Sequence, residues 1–165
     1  MAASSFVAAL HTDRPASDRA DKLSLYGWLI GDWEMDSVLY DETGAKRAGP
    51  RGEIHFGWVL EGRAIQDVWI LPDLFYGTTL RVYDPGLHAW HILWNDPLKQ
   101  YYVRQIARPK GNDIVQDGKD LSGVPLRWTF TEITRDSFHW IGERSDDGGS
   151  SFRRQIEMFA RRVAG

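Results

Sequence analysis

The feature that most constrains this chain is a series of about ten short segments with β-type alternation, each closed by a turn-forming stretch. They span residues 33–40, 53–59, 63–71, 77–83, 89–95, 100–107, 113–117, 125–133, 138–144 and 152–161. Between them lie stretches such as "DPG", "DPLK", "RPKGN", "GKDLSG" and "SDDGGS", whose Gly, Pro, Asp and Asn residues favour tight reversals. No long amphipathic helical pattern interrupts the series. Short strands at regular spacing pair most simply with their sequence neighbours, and a sheet of this width curls and closes because closure removes two exposed edges. The expectation is therefore all-β: an up-and-down antiparallel β-barrel of about ten strands with a short helical segment at its N-terminus.

That N-terminal part divides in two. Residues 4–10 fit a short helical turn, "RPASDRADK" reads as a polar connector, and "LSLYGWLIGDWE" fits a short helix or turn lying against the sheet and ending at Gly31. A length of 165 residues suits one domain. Residues 1–22 are read as an extension and 23–165 as the barrel.

Alternation assigns the faces. In "WEMDSVLY" Trp33, Met35, Ser37 and Leu39 share a face that should turn inward. In "HAWHILWNDP" Trp90, Ile92 and Trp94 share a face, which sends His91 to the other side. Phe138 and Trp140 likewise oppose His139, and Trp128 goes with Phe130 and Glu132.

Eight Trp, six Tyr and seven Phe are many rings for one small domain. Leaving a large ring exposed forfeits roughly 2 kcal/mol, so the rings must fill a core or line a cavity. For any one of Trp33, Trp58, Trp69, Trp90, Trp94, Trp128 and Trp140, core and ligand wall both remain open. As a set they point to a cavity, with Trp33, Trp69, Tyr76, Trp90, Trp94, Trp128 and Trp140 as candidate ligand contacts.

Several function classes are disfavoured. A net charge of −3 with dispersed basic residues leaves no footprint for a nucleic-acid backbone. No apolar run approaches the ~20 residues that span a bilayer. The first residues lack a basic region ahead of their short apolar stretch and make a poor signal peptide. The absence of cysteine removes disulfides, thiolate metal sites and cysteine nucleophiles, and suits a reducing cytoplasm. There is no dinucleotide fingerprint and no Ser-His-Asp arrangement with a supporting motif. "GKDLSG" and "SDDGGSS" lack the context of phosphate or calcium loops and read as hairpin turns.

Polar candidates remain. His88 and His91 fall on opposite faces and make a poor metal pair, and no metal site is expected. His55 shares a face with Glu53, either as a solvated pair or as an acid/base pair. Asp67 lies in the middle of "IQDVWI". It belongs either to a cross-strand ion pair on the outer surface or, if Trp69 faces inward, to a buried site with Arg104 or Tyr76 as partner. The candidate catalytic groups are thus His55, Asp67, Tyr76 and Arg104.

The stretches "LIGDWEM", "GWVLEGR", "YGTTLRVYDPGLHAWHILWND", "VPLRWTFTEITRDSFHW" and "SDDGGSSFRRQIEMFARR" together resemble a family of uncharacterised bacterial lipocalin-like proteins of the calycin type. The resemblance covers roughly residues 23–162. It implies a barrel with a central cavity, also related to fatty-acid-binding-protein-like barrels. Gly31 and Trp33 would correspond to the calycin G-x-W, and Arg161 or Arg162 to the basic residue packed across that Trp. Haem-binding nitrobindin-like barrels begin with a similar "LIGxW" stretch but continue into a glycine-rich segment, where this chain has "WEMDS".

These readings lead to a cytoplasmic barrel that binds a small hydrophobic metabolite, aromatic or isoprenoid-like, and needs no cofactor. An enzyme of the same fold, of the cyclase, hydratase or isomerase type, is the alternative, and a barrel holding haem through a histidine is the third reading. The apolar part of "SLYGWLIG" is a candidate homodimer contact.

Overall fold

The computed structural model describes residues 4–165; the first three residues of the expected N-terminal extension lie outside the described residues. The elements are α1 (Ser5–Leu10), β1 (His11–Thr12), a 3-10 turn (Ser17–Arg19), α2 (Ala20–Gly27), β2 (Gly31–Tyr40), β3 (Lys46–Ala48), β4 (Gly52–Val59), β5 (Ala64–Leu71), β6 (Phe75–Asp84), β7 (Ala89–Asp96), β8 (Tyr101–Lys110), β9 (Asp113–Asp120), β10 (Pro125–Thr131), β11 (Ser137–Arg144) and β12 (Arg153–Arg162). All ten expected strands are present. From β4 to β12 each pairs antiparallel with the next, β12 pairs with β2, and β2 returns to β4, so ten strands close into a barrel.

Two strands lie outside the ring, β1 on β4 and β3 on β2. Neither shows in the sequence: β1 has two residues, and β3 is a charged "KRA" with no alternation. β2 pairs with β4 over Gly31–Met35 and with β3 over Val38–Tyr40.

The connector "RPASDRADK" is more ordered than expected. It contains the 3-10 turn and the first turn of α2, whose polar Asp21 and Lys22 conceal the helical period; the helix ends at Gly27 rather than at Gly31. The segment expected to lie against the sheet does so as a plug, which buries most of the apolar part of "SLYGWLIG", the candidate homodimer contact. Leu23, Tyr26 and Leu29 are fully buried, and Leu25, Trp28 and Ile30 pack against the same core.

The plug closes one end of the barrel. Trp33 is fully buried there, its indole N–H donating to Leu29 O at 2.7 Å. The Arg162 guanidinium lies 4.2 Å from the Trp33 ring centroid and donates to the carbonyls of Trp28, Ile30 and Arg135. Arg162 is therefore the residue packed across the tryptophan, while Arg161 points outward to Asp36 and Glu34. Gly31 is needed beside it: its φ is +122°, and a Cβ there would sit 3.1 Å from Arg162 Nη1.

The other end stays open. It carries the turns after β5, β7, β9 and β11, and β12 has a bulge there, where Gly142 pairs with Ile156 but Glu143 pairs with Arg154. The extra residue, Gln155, bends the strand and reaches the space inside. No helix among the described residues is long and apolar enough to cross a membrane.

Candidate functional site

The open half of the barrel contains a cavity of about 330 Å³, within the range typical of small-molecule sites. Its walls are inward positions of strands on opposite sides of the lumen, β5 to β7 on one side and β10 to β12 on the other. Trp69 of β5 meets Trp140 of β11 at 5.6 Å, Trp140 meets Trp128 of β10 at 5.4 Å, and Trp128 meets Trp94 of β7 at 6.3 Å. Phe75 of β6 continues the series against Trp94 at 5.8 Å. The arc thus crosses the lumen twice, which only a closed barrel allows. Trp94 fits because the neighbouring inward residue is glycine: a Cβ on Gly77 would fall 2.5 Å from its ring.

Below the rings lies a polar layer that separates the cavity from the plug. Asp67 and Arg81, both almost fully buried, form an ion pair through Asp67 Oδ2 and Arg81 Nη1. The other carboxylate oxygen accepts the backbone N–H of Thr79 at 2.7 Å. The guanidinium sits among three rings, 5.3 Å from Tyr26, 5.5 Å from Phe56 and 5.8 Å from Phe130, a favourable placement for a desolvated cation. Tyr26 donates to Gln116 Oε1 at 2.7 Å, and Gln116 and Gln105 are bonded to each other. Burial pushes the Tyr26 phenol far above its ordinary range, so it stays a neutral donor.

Two buried donors in this region have no partner: Trp69 Nε1 and Arg81 Nε. Both residues line the cavity. Nearer the mouth, Asp96 is buried and caps the following turn by accepting the N–H groups of Leu98 and Lys99. The phenol of Tyr101 is pushed up to about 12, mainly by burial and further by Asp120.

The candidate residues from the sequence separate clearly. Trp69, Trp94, Trp128 and Trp140 line the cavity, whereas Trp33 and Trp90 lie deep in the plugged end and do not. Tyr76 is 55% exposed beside the mouth, and Arg104 is exposed on the outer face of β8. Neither partners Asp67, and Asp67 is not an outer-surface pair; its counterion is Arg81, from the neighbouring strand. His55 is exposed, 2.7 Å from Asp32 and 3.5 Å from Glu53. His91 pairs with Asp84 at 2.9 Å, and His139 stacks on Phe159 at 4.4 Å. None of the five histidines lines the cavity.

The partner of Asp67 was readable in principle. The short turn after β5 sets Leu71 opposite Phe75 and hence Asp67 opposite Thr79, and Arg81 is the next residue on that inward face.

A closed ten-stranded antiparallel barrel, a helical plug and an Arg packed over the tryptophan of G-x-W now stand together. The fold is a calycin-like barrel. Solved barrels agree. The chain is similar to Rv2717c from M. tuberculosis, with a TM-score of 0.60, 14% identity, and coverage of 88% of this chain and 99% of that one. It is equally similar in shape to the S-type phycobiliprotein lyase CPES from Guillardia theta, with a TM-score of 0.60, 10% identity, and coverage of 92% and 99%. At such identities the likeness concerns the fold alone. No protein-family model matches this chain, and no curated protein sequence matches it significantly.

Proposed function

We propose that this calycin-like barrel binds a small hydrophobic molecule, aromatic or isoprenoid-like, in the cavity of its open end. The observation that carries the reading is the continuous arc of Phe75, Trp94, Trp128, Trp140 and Trp69 around an unfilled volume of about 330 Å³. Rings packed on one side and facing open space on the other lack part of the dispersion contact a packed core supplies, and a planar apolar ligand restores it. The lack of cysteine supports a reducing, cytoplasmic setting.

An enzyme of the same fold has one observation in its favour, an ion pair within hydrogen-bond reach on the inner side. With one oxygen on Arg81 and the other on the Thr79 N–H, however, Asp67 serves as a counterion. Haem held by a histidine does not fit, because all five histidines lie away from the cavity.

Native mass spectrometry of the protein from its own host, with tryptophan quenching by an apolar aromatic probe, tests the reading. The expected result is a stoichiometric apolar ligand and saturable quenching. An empty protein that no hydrophobic probe quenches would sink it.

A further inference from the structure

We infer that the ligand carries a neutral carbonyl oxygen at its buried end, received by the N–H groups of Trp69 and Arg81. The inference rests on the binding reading above and specifies the chemical class of its ligand.

Trp69 is 4% exposed and Arg81 2%, and Trp69 Nε1 and Arg81 Nε have no hydrogen-bond partner. Buried donors without acceptors are rare and costly. Here there are two in one small region: Phe56 and Phe130 touch both residues, with the Trp69 ring 6.1 Å and 6.4 Å from theirs and the Arg81 guanidinium 5.5 Å and 5.8 Å away. Both belong to the cavity lining. The Tyr26 hydroxyl lies on the plug side and donates to Gln116, yet neither Trp69 Nε1 nor Arg81 Nε finds an acceptor among the surrounding protein groups. Acceptors must come from the cavity side.

Charge selects among acceptors. The guanidinium is neutralised in direct contact by Asp67, and Asp96 adds a second buried carboxylate to the cavity surroundings. The buried groups thus sum to one excess negative charge, while Lys99 at the mouth is solvated. A carboxylate ligand would leave water for a site with no uncompensated positive charge, a costly transfer. A quaternary ammonium suits tryptophan faces but would place its charge against the guanidinium and leave both donors unmet. A hydroxyl accepts a hydrogen bond but brings a donor of its own that then needs a partner. A carbonyl oxygen has two lone pairs, no proton and no net charge, so it matches two N–H donors.

Four naphthalenes of similar size separate these cases by tryptophan quenching: 2-isopropylnaphthalene, 2-acetylnaphthalene, 2-naphthoate and a 2-naphthyltrimethylammonium salt. The ketone is expected to bind about tenfold tighter than the hydrocarbon, as befits hydrogen bonds to a charged group, and tighter than either ion. In Trp69→Phe, which keeps a smaller aromatic ring and removes the N–H, the ketone-to-hydrocarbon ratio should fall about fivefold, whatever happens to both affinities. Equal binding of ketone and hydrocarbon, an unchanged ratio in Trp69→Phe, or preference for either ion overturns the carbonyl assignment while the pocket stands. Failure of all four probes to bind overturns the pocket itself.

Discussion

At the plugged end of the barrel, Trp33 has a helix behind it, a guanidinium over its face and an acceptor for its N–H at 2.7 Å. At the open end, Trp69 faces a cavity and its N–H meets no acceptor. Both tryptophans are inward residues of barrel strands, and both are almost wholly buried. Aromatic content therefore does not separate core from site in this molecule. Completion does: every polar group around Trp33 has its partner, whereas the layer under the cavity is satisfied on the plug side and left open on the other. A polar layer finished on one side only is the feature on which the proposed binding reading rests.

Truncating the two kinds of tryptophan gives the largest contrast. Trp33→Ala should cost about 3–5 kcal/mol, the range for a fully buried aromatic. Trp128→Ala, at the half-buried cavity wall, should cost less than half of that and should weaken quenching by apolar probes more than it lowers stability. Urea titration measures both variants, and equal losses would mean that the open end is packed like the plugged one.

The arginine pair sharpens the same contrast on a smaller scale. Arg162→Ala removes the cation over Trp33 and several bonds to carbonyls, for about 2–3 kcal/mol. Its neighbour Arg161 only bridges exposed Asp36 and Glu34, so Arg161→Ala should stay below about 1 kcal/mol. A comparable loss from both would place the structural role on the wrong residue.

Gly77→Ala is expected to cost about 1–3 kcal/mol by overpacking, because the new methyl meets the Trp94 ring and the carbonyl of Asn95. Displacing Trp94 should also weaken probe binding. Unaltered quenching curves would show that Trp94 is not a ligand wall.

The smallest effect concerns pH and the turn after β11. Asp147 accepts hydrogen bonds from Ser145 and Ser151, and these hold its carboxyl well below the ordinary value of 3.8. A depressed folded-state value means that the contribution is complete above about pH 4 and is lost as pH falls through the folded value. Thermal unfolding of Asp147→Asn should show a slightly lower midpoint at pH 7 and a flatter decline into acid than the unaltered protein. Identical acid limbs would remove Asp147 from the account of this turn.

Much of the architecture was legible because alternation and turn chemistry are local. Ten strands, the inward faces of Trp90, Trp94 and Trp140, and the outward faces of His91 and His139 follow from period two alone. β3 was missed because three exposed charged or small residues on an edge carry no period. α2 started earlier than it reads because its first turn is solvated.

By itself, the sequence determined a closed antiparallel barrel and the faces of its strands, since these depend on neighbours along the chain. Only the tertiary structure decided which tryptophans line a cavity. That depends on height along the barrel axis relative to the plug, a quantity set by how residues 20–30 pack against strands more than a hundred positions away, such as Phe138 and Arg162. It also decided that Asp67 answers to Arg81 and that two N–H groups remain without acceptors, because a hydrogen bond is made or missed over tenths of an ångström, and no spacing in a sequence records that distance.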